Sequence, residues 1–128
     1  VMEFKKSLSI FEQIGMSVQE NIINESWKEG DRIPSVREFA TNVQVNPNTV
    51  MRSYTLLQDM GILENRRGIG FFVANGARSR SIQSRKDQFA EEFLPELFKA
   101  IDQLGIGWDE LKAYYFHWKN KNNHETQQ

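Results

Sequence analysis

The sequence predicts a mainly helical α+β fold: an N-terminal winged helix-turn-helix, built from three helices and a β-hairpin wing, followed by a short helical tail. Three observations predict it. Two capped helix starts, at Ser35 and Asn46, enclose a helix and a short linker. Two strand-like runs separated by glycines follow the second of these helices. Past about residue 77 the apolar spacing returns to that of helices. The chain has 128 residues, no cysteine, and 16 Lys+Arg against 17 Asp+Glu, which fits one ordinary domain or a small domain with an appendage. With 39% hydrophobic and 26% charged residues it can bury a core, which excludes a disordered acidic tail or a low-complexity polymer. Lack of cysteine excludes disulfide scaffolds, thiolate zinc sites and thiol nucleophiles, and makes a reducing, cytoplasmic setting the default. No apolar run approaches the ~18 to 20 residues that span a bilayer. Val1-Met2-Glu3-Phe4-Lys5-Lys6 is not followed by a signal-peptide core, so a soluble, non-exported chain with no membrane partner is expected.

Helix one is expected over roughly 10 to 26, with Ser9 and Glu12 as a capping box and Ile10, Ile14, Val18 and Ile22 as its apolar stripe. Lys28-Glu29-Gly30-Asp31-Arg32 reads as a turn into the extended pair Ile33-Pro34. Ser35 and Glu38 form a second capping box for a helix of roughly 36 to 42, whose apolar residues are Val36, Phe39, Ala40 and Val43. Asn46 caps helix three and Pro47 opens it, where a missing N–H costs nothing. Val50, Tyr54, Leu57 and Met60 should be its buried face, with Gly61 ending it in the left-handed conformation. Ile62-Leu63-Glu64-Asn65-Arg66 and Phe71-Phe72-Val73, joined by Arg67-Gly68-Ile69-Gly70, form the hairpin. A lone hairpin is marginal in water, so Ile62, Leu63 and one or more of Phe71, Phe72 and Val73 must pack on the helices.

Residues 1–76 are expected to form the winged domain and 77–128 the helical segment. Ala74-Asn75-Gly76-Ala77 has linker composition, after which Ile82, Phe89, Phe93, Leu97, Ile101 and Leu104 keep helical spacing up to Gly105. Pro95 either kinks that helix or opens a new one after a break near Phe93 and Leu94; an uninterrupted straight helix is disfavoured by ~3 kcal/mol. A last helix starts after Gly107, with Asp109 and Glu110 in its first turn, Trp108, Leu111, Tyr115 and Trp118 on one face, and a polar Lys119 to Gln128 end expected to fray.

Charge is distributed unevenly. Residues 1–27 carry a net −2, residues 28–86 hold ten Lys+Arg against five acids for +5, and residues 87–128 carry −4. A basic middle between acidic ends suits a DNA-contacting module with a separate association part, although a solvated surface can vary as widely. On helix three, Asn48 and Arg52 form an i, i+4 pair opposite the buried face, with Thr49 beside them. Arg52 can bond guanine in bidentate fashion, Asn48 can pair with adenine, and Thr49 can bond a phosphate or touch a thymine methyl. Arg37 opposes the dipole of helix two, which suits either a phosphate clamp or an ion pair with Glu38. Arg66, Arg67, Gly68 and Gly70 make a basic tip that could lie along phosphates or serve only the turn.

The stretch Ile33-Pro34-Ser35-Val36-Arg37-Glu38-Phe39-Ala40 leads into Val45-Asn46-Pro47-Asn48-Thr49-Val50, then Arg52, Tyr54, Leu57, Gly61 and Ile62, and finally Arg66-Arg67-Gly68, Gly70 and Phe72-Val73. This series resembles the DNA-binding domain of GntR-family bacterial transcription regulators over roughly residues 8 to 73. The Asn-Pro-Asn-Thr opening of helix three and the short tail are similar to the YtrA-like subfamily. The resemblance implies a sequence-specific regulator, usually a repressor, that binds a palindromic operator as a homodimer. Its implied DNA-binding set is Ser35, Arg37, Asn46, Asn48, Thr49, Arg52, Arg66, Arg67, Gly68 and Gly70. Two departures stand out. About 50 residues follow the wing, too few for a metabolite-binding bundle or an aminotransferase-like domain, and Met51 occupies a position where some other subfamilies place a base-reading arginine, so no contact is carried over to it.

Eight of the fifteen aromatics lie between Phe89 and Trp118, on segments too short to bury them within one chain. A homodimer interface through Phe89, Phe93, Leu97, Ile101, Trp108, Leu111, Tyr115 and Trp118 is therefore expected, which would present two reading helices to half-sites about 34 Å apart or a multiple of that. The competing reading folds these aromatics back onto the winged domain. A small-molecule effector is compatible with this architecture, but no convergent polar set supports a pocket for one. Neither a metal, a cofactor nor catalysis is expected. His117 and His124 are seven apart rather than four, no Ser-His-Asp pattern can be placed, and Asp109 and Glu110 are explained by the helix N-terminus. The rival function is a protein-interaction module, since the whole chain is at −1 and winged helices also bind proteins.

Overall fold

A computed structural model describes residues 8–126, with side chains described as far as Asn123; the expectation about Val1 to Lys6 lies outside the described residues. Ser9 begins α1 (Ile10–Ile23), its hydroxyl accepting from the Glu12 N–H at 3.3 Å and donating to the Glu12 carboxylate at 2.9 Å. Ile14, Val18 and Ile22 are buried, whereas Ile10, the first residue of the stripe, is exposed. The helix ends three residues earlier than its spacing suggested. Asn24 caps it, Glu25 takes a φ of +65°, and the Trp27 N–H returns to the Asn21 carbonyl at 3.0 Å. Continued as a helix, Trp27 would stand half a turn out of phase with Val18; the early stop lets it pack on the core instead.

Helix α2 (Val36–Val43) buries Phe39 and Ala40, while Val43, expected in its stripe, is exposed. After Gln44 in the left-handed region, α3 (Pro47–Asp59) buries Val50, Ser53, Tyr54 and Leu57. Met60, expected on that face, is the C-cap and lies exposed, because the chain turns away through Gly61 at φ +74°. Strands β1 (Leu63–Arg66) and β2 (Gly70–Val73) pair antiparallel, with Leu63 opposite Val73 and Arg66 opposite Gly70. Ile62, Leu63, Phe71 and Val73 enter the core, so alternation puts the half-buried Phe72 on the other face. The extended 31–33 segment covers the outer edge of β2: Ile33 N–H donates to the Phe71 carbonyl at 3.0 Å and Val73 N–H to that of Asp31 at 2.9 Å.

Tyr54 joins these pieces. Its ring meets Phe39 and Phe71 edge-on at centroid distances of 6.1 and 5.0 Å, and its hydroxyl donates to the Pro34 carbonyl at 2.7 Å. Gly15 brings α1 close to α3: a Cβ there would stand 3.3 Å from the Ser53 hydroxyl.

Helix α4 (Ala77–Gln88) begins inside the stretch that had linker composition and packs on α1, burying Ala77 and Ser81. Arg78 donates to the Ile23 carbonyl at 2.9 Å, and one Arg80 nitrogen bridges the carbonyls of Gly61 and Asn75 at 2.9 and 2.7 Å. This compact unit runs to Gln88, and a second begins at Phe89. The second unit starts with a π-helical turn, Phe89–Phe93, before α5 (Leu94–Leu104), in which Pro95 is a first-turn residue. Proline lacks the N–H needed to continue the ladder; the wide turn absorbs the break and a new helix opens. Gly105 at φ +66° ends α5, and α6 runs Trp108–Thr126, keeping helical structure past Lys119 where fraying was expected; Gln127 and Gln128 lie outside the described residues.

Burial, and then the charge of Glu38, push the Tyr54 hydroxyl well above the ordinary tyrosine value. Below about pH 10 this hydroxyl is neutral whether the chain is folded or not, so stability is complete there. Above it the unfolded chain releases the proton first, and stability falls as pH rises. Urea unfolding from pH 9 to 12 is expected to show a shallower alkaline loss in Tyr54→Phe than in the wild type.

Candidate nucleic-acid interface

The α2–turn–α3 pair and the wing place the charged and amide side chains singled out in the sequence. Asn46 starts α3, its side-chain oxygen accepting from the Asn48 N–H at 2.8 Å. That bond and Pro47 set the direction of the first turn. Because Val50, Tyr54 and Leu57 face the core, Asn48, Arg52 and Thr55 come up on the opposite side, and all three are exposed. Thr49 is half-buried at the flank and Met51 is exposed. Thr55, one turn beyond Arg52 and two beyond Asn48, is a further outward polar residue, marked by its spacing but absent from the set expected from the sequence.

The Arg52 guanidinium lies over the Phe11 ring of α1, its carbon 3.9 Å from the ring centroid. Sequence reasoning had no access to that contact, since it joins residues on two helices whose crossing had to be known first. With a ring rather than an acid as its neighbour, the guanidinium joins no ion pair among the described residues, so its N–H groups are not taken up by a carboxylate.

At the N-terminus of α2, Ser35 and Glu38 form the reciprocal capping box: Glu38 N–H donates to the Ser35 hydroxyl at 3.1 Å and Ser35 N–H to the Glu38 carboxylate at 3.2 Å. The bond from the Ser35 backbone, then that from its side chain, hold the Glu38 carboxyl below the ordinary glutamate value against desolvation, and the charge of Arg32 adds a smaller lowering. Arg37 is exposed beside this cap and joins none of the ion pairs among the described residues, so the pairing with Glu38 is not formed. An exposed cation at a helix N-terminus with free N–H groups suits a phosphate oxygen.

In the wing, Arg66 lies over the Phe72 ring at 4.0 Å and meets Glu64 at 3.7 Å, and Arg67 projects from the turn. Gly68 takes a φ of +77° at the tip. Gly70 serves a different purpose: a Cβ there would come within 3.0 Å of the Arg32 side chain, so its absence lets Arg32 cross the hairpin. Arg32 is a further exposed cation at the wing which the sequence reading had placed only in a turn; its position follows from the bridge between Arg32 and Phe72. Arg66 and Arg67 on the hairpin and Arg32 on the segment along its edge thus belong to the same small pairing of extended chain.

The tail residues singled out as an interface lie in the second unit. Trp108 is 70% and Trp118 59% exposed, with Phe89 and Tyr115 near half exposure; Phe93, Leu97 and Leu111 are half-buried, and Ile101 is buried. Phe98 and Trp108 meet edge-on at 6.5 Å, and Tyr115 stacks on Trp118 at 6.1 Å. Exposed neighbours Tyr114 and Phe116 enlarge this aromatic surface. No group of His, Cys, Asp and Glu among the described residues could hold a metal ion, and no helix there is long and apolar enough to cross a membrane. The side chain of His124 lies outside the described residues.

Residues 10–73 match the family described as bacterial regulatory proteins, gntR family. The chain is 34% identical over 109 residues to the uncharacterised HTH-type transcriptional regulator YhcF of Bacillus subtilis strain 168, covering 85% of this chain and 88% of that protein. It is 35% identical over 110 residues to the HTH-type transcriptional repressor YtrA of the same organism, covering 86% and 84%. Among solved structures it is similar to a crystal structure described as a putative GntR-family transcriptional regulator from Bacteroides thetaiotaomicron. The TM-score there is 0.77 at 39% identity, over 89% of this chain and 99% of that one.

The Asn46 cap yields a direct expectation. Asn46→Ala should lower stability by about 1 kcal/mol in urea unfolding, and Asn46→Asp, which keeps the capping oxygen, should recover most of it.

Proposed function

The chain belongs to the bacterial gntR family and is a DNA-binding transcriptional regulator, not an enzyme; from that premise we propose that it is a homodimeric repressor whose α3 helices read the two halves of a palindromic operator. The carrying observation is the outward face of α3, where Asn48 and Arg52 stand exposed above a fully packed core. In this reading Arg52 takes a guanine edge in bidentate fashion and Asn48 an adenine, with Thr49 at a phosphate or a thymine methyl. Ser35 and Arg37 at the start of α2, and Arg66, Arg67 and the small residues Gly68 and Gly70 of the wing, hold the phosphate backbone, while Asn46 orients the reading helix. Bound across a promoter, such a dimer represses by excluding polymerase.

What supports dimerisation is the apolar surface of α5 and α6, with Trp108 and Trp118 both more than half exposed in the single chain. A two-fold pairing of these faces would present two copies of α3 to symmetric half-sites. The name of the similar protein YtrA, a transcriptional repressor, is in keeping with a repressing role here.

Arg52→Ala is expected to relax preference at one base pair per half-site, with a loss of ~1 to 3 kcal/mol there. Arg67→Ala is expected to weaken binding to all duplexes alike and to flatten the salt dependence of affinity. Binding titrations at several salt concentrations separate the two; equal losses on specific and random DNA for both variants would contradict these roles. In sedimentation, Trp118→Asp is expected to give monomers with unchanged far-ultraviolet dichroism, and a retained dimer mass would remove this residue from the interface.

A further inference from the structure

We propose that Phe11, on α1, is a positioning residue that sets the base preference of Arg52; this rests on the assignment of Arg52 as the base-reading cation. An arginine carries several rotatable bonds, and a guanidinium that must meet the O6 and N7 of guanine together gains from having its plane fixed before contact. The Phe11 ring supplies that fixing surface, 3.9 Å beneath the Arg52 guanidinium.

The backbone of Phe11 is itself anchored from the same helix that carries Arg52. Ser53, the next residue, is fully buried and donates its hydroxyl to the Phe11 carbonyl at 2.8 Å, which pins the Phe11 backbone to α3. Gly15, one turn further along α1, permits this approach, because a Cβ there would lie 3.3 Å from the same hydroxyl. Gly15, Ser53, Phe11 and Arg52 therefore form one chain of contacts from the α1–α3 crossing to the outward face. Arg52 joins no ion pair among the described residues, so the aromatic face is what holds it there. The arrangement makes a residue of α1 a determinant of which base is read.

The test uses the full chain and a duplex enriched by the wild-type protein from a random pool, together with single base-pair changes of that duplex and unrelated duplex DNA. Phe11→Leu and Phe11→Met are expected to reduce discrimination by roughly two- to fivefold at the same base pair that Arg52→Ala relaxes. Their affinity for unrelated DNA should stay that of the wild type. Phe11→Tyr, which keeps the ring, should retain full discrimination, and Phe11→Leu should change nothing further at that base pair in the Arg52→Ala background. Equal loss on enriched and unrelated DNA, failure of Phe11→Tyr to preserve discrimination, or an effect persisting without Arg52 would overturn the inference. If Arg52→Ala relaxes one base pair and the Phe11 variants relax none, Phe11 loses its role while Arg52 keeps its own. If Arg52→Ala relaxes none, the base-reading assignment falls and this inference falls with it.

Discussion

Tyr54 sits on the inner side of α3 with its ring between Phe39 and Phe71 and its hydroxyl on the Pro34 carbonyl. That seat sets the rotation of α3 about its own axis, since a helix can bury only one stripe and Tyr54 is the largest residue in it. Everything exposed on α3 follows from this rotation. With Val50 and Leu57 beside Tyr54, the side chains four and three positions apart on the far side must be Asn48, Arg52 and Thr55. The same ring reaches α2, β2 and the segment before α2, so the elements that would hold phosphates are referred to the same centre as the helix that would read bases.

The rest of the N-terminal unit resists displacement of that centre. Arg80 joins the carbonyls of Gly61 and Asn75, one before β1 and one after β2, and so closes the base of the wing from α4. Arg78 fastens the same helix to the last carbonyl of α1. These bonds are exposed and individually modest, each worth about 1 to 3 kcal/mol at most as charged donors to carbonyls. Their value lies in geometry: the wing leaves the core through a fixed base. Two arginines of the basic middle of the sequence are thus spent on holding the unit together, while Arg37 and Arg67 face solvent. Net charge along the chain could not separate the two kinds.

Much of this unit was legible because its signals are local. The Ser35 capping box, the Asn46 cap with Pro47 behind it, and the glycines of the wing each act within a few residues, and each sits where the sequence places it. What was not legible depends on contacts between distant segments. Helix α1 stops at Ile23 without a glycine or proline to mark it, and the turn beyond it brings Trp27 onto the core. Met60 keeps the spacing of a buried residue but falls on the turn into the hairpin. Pro95 announces a break without saying how it is made; the π-helical turn just before it is a solution of the backbone, not of any residue pattern. In the candidate site, Asn48 and Arg52 could be read from period, whereas the supports beneath and beside them, Phe11 under Arg52 and Arg32 across Gly70, come from a helix crossing and an edge pairing.

The aromatic tail gives the second half of the chain a different logic from the first. Its large side chains are poorly covered within their own unit, whereas the N-terminal unit is closed around a dense core. A surface of that kind invites a matching copy, and two copies related by a two-fold axis would demand a two-fold operator. The proposed function requires that the outward face of α3 enter the major groove. Methylation interference on a selected duplex tests it most directly, because guanine N7 lies in the major groove and adenine N3 in the minor. If α3 reads the major groove, methylation of a guanine N7 in each of two symmetric half-sites will block binding. Interference confined to adenine N3, or none within any half-site, would contradict that placement.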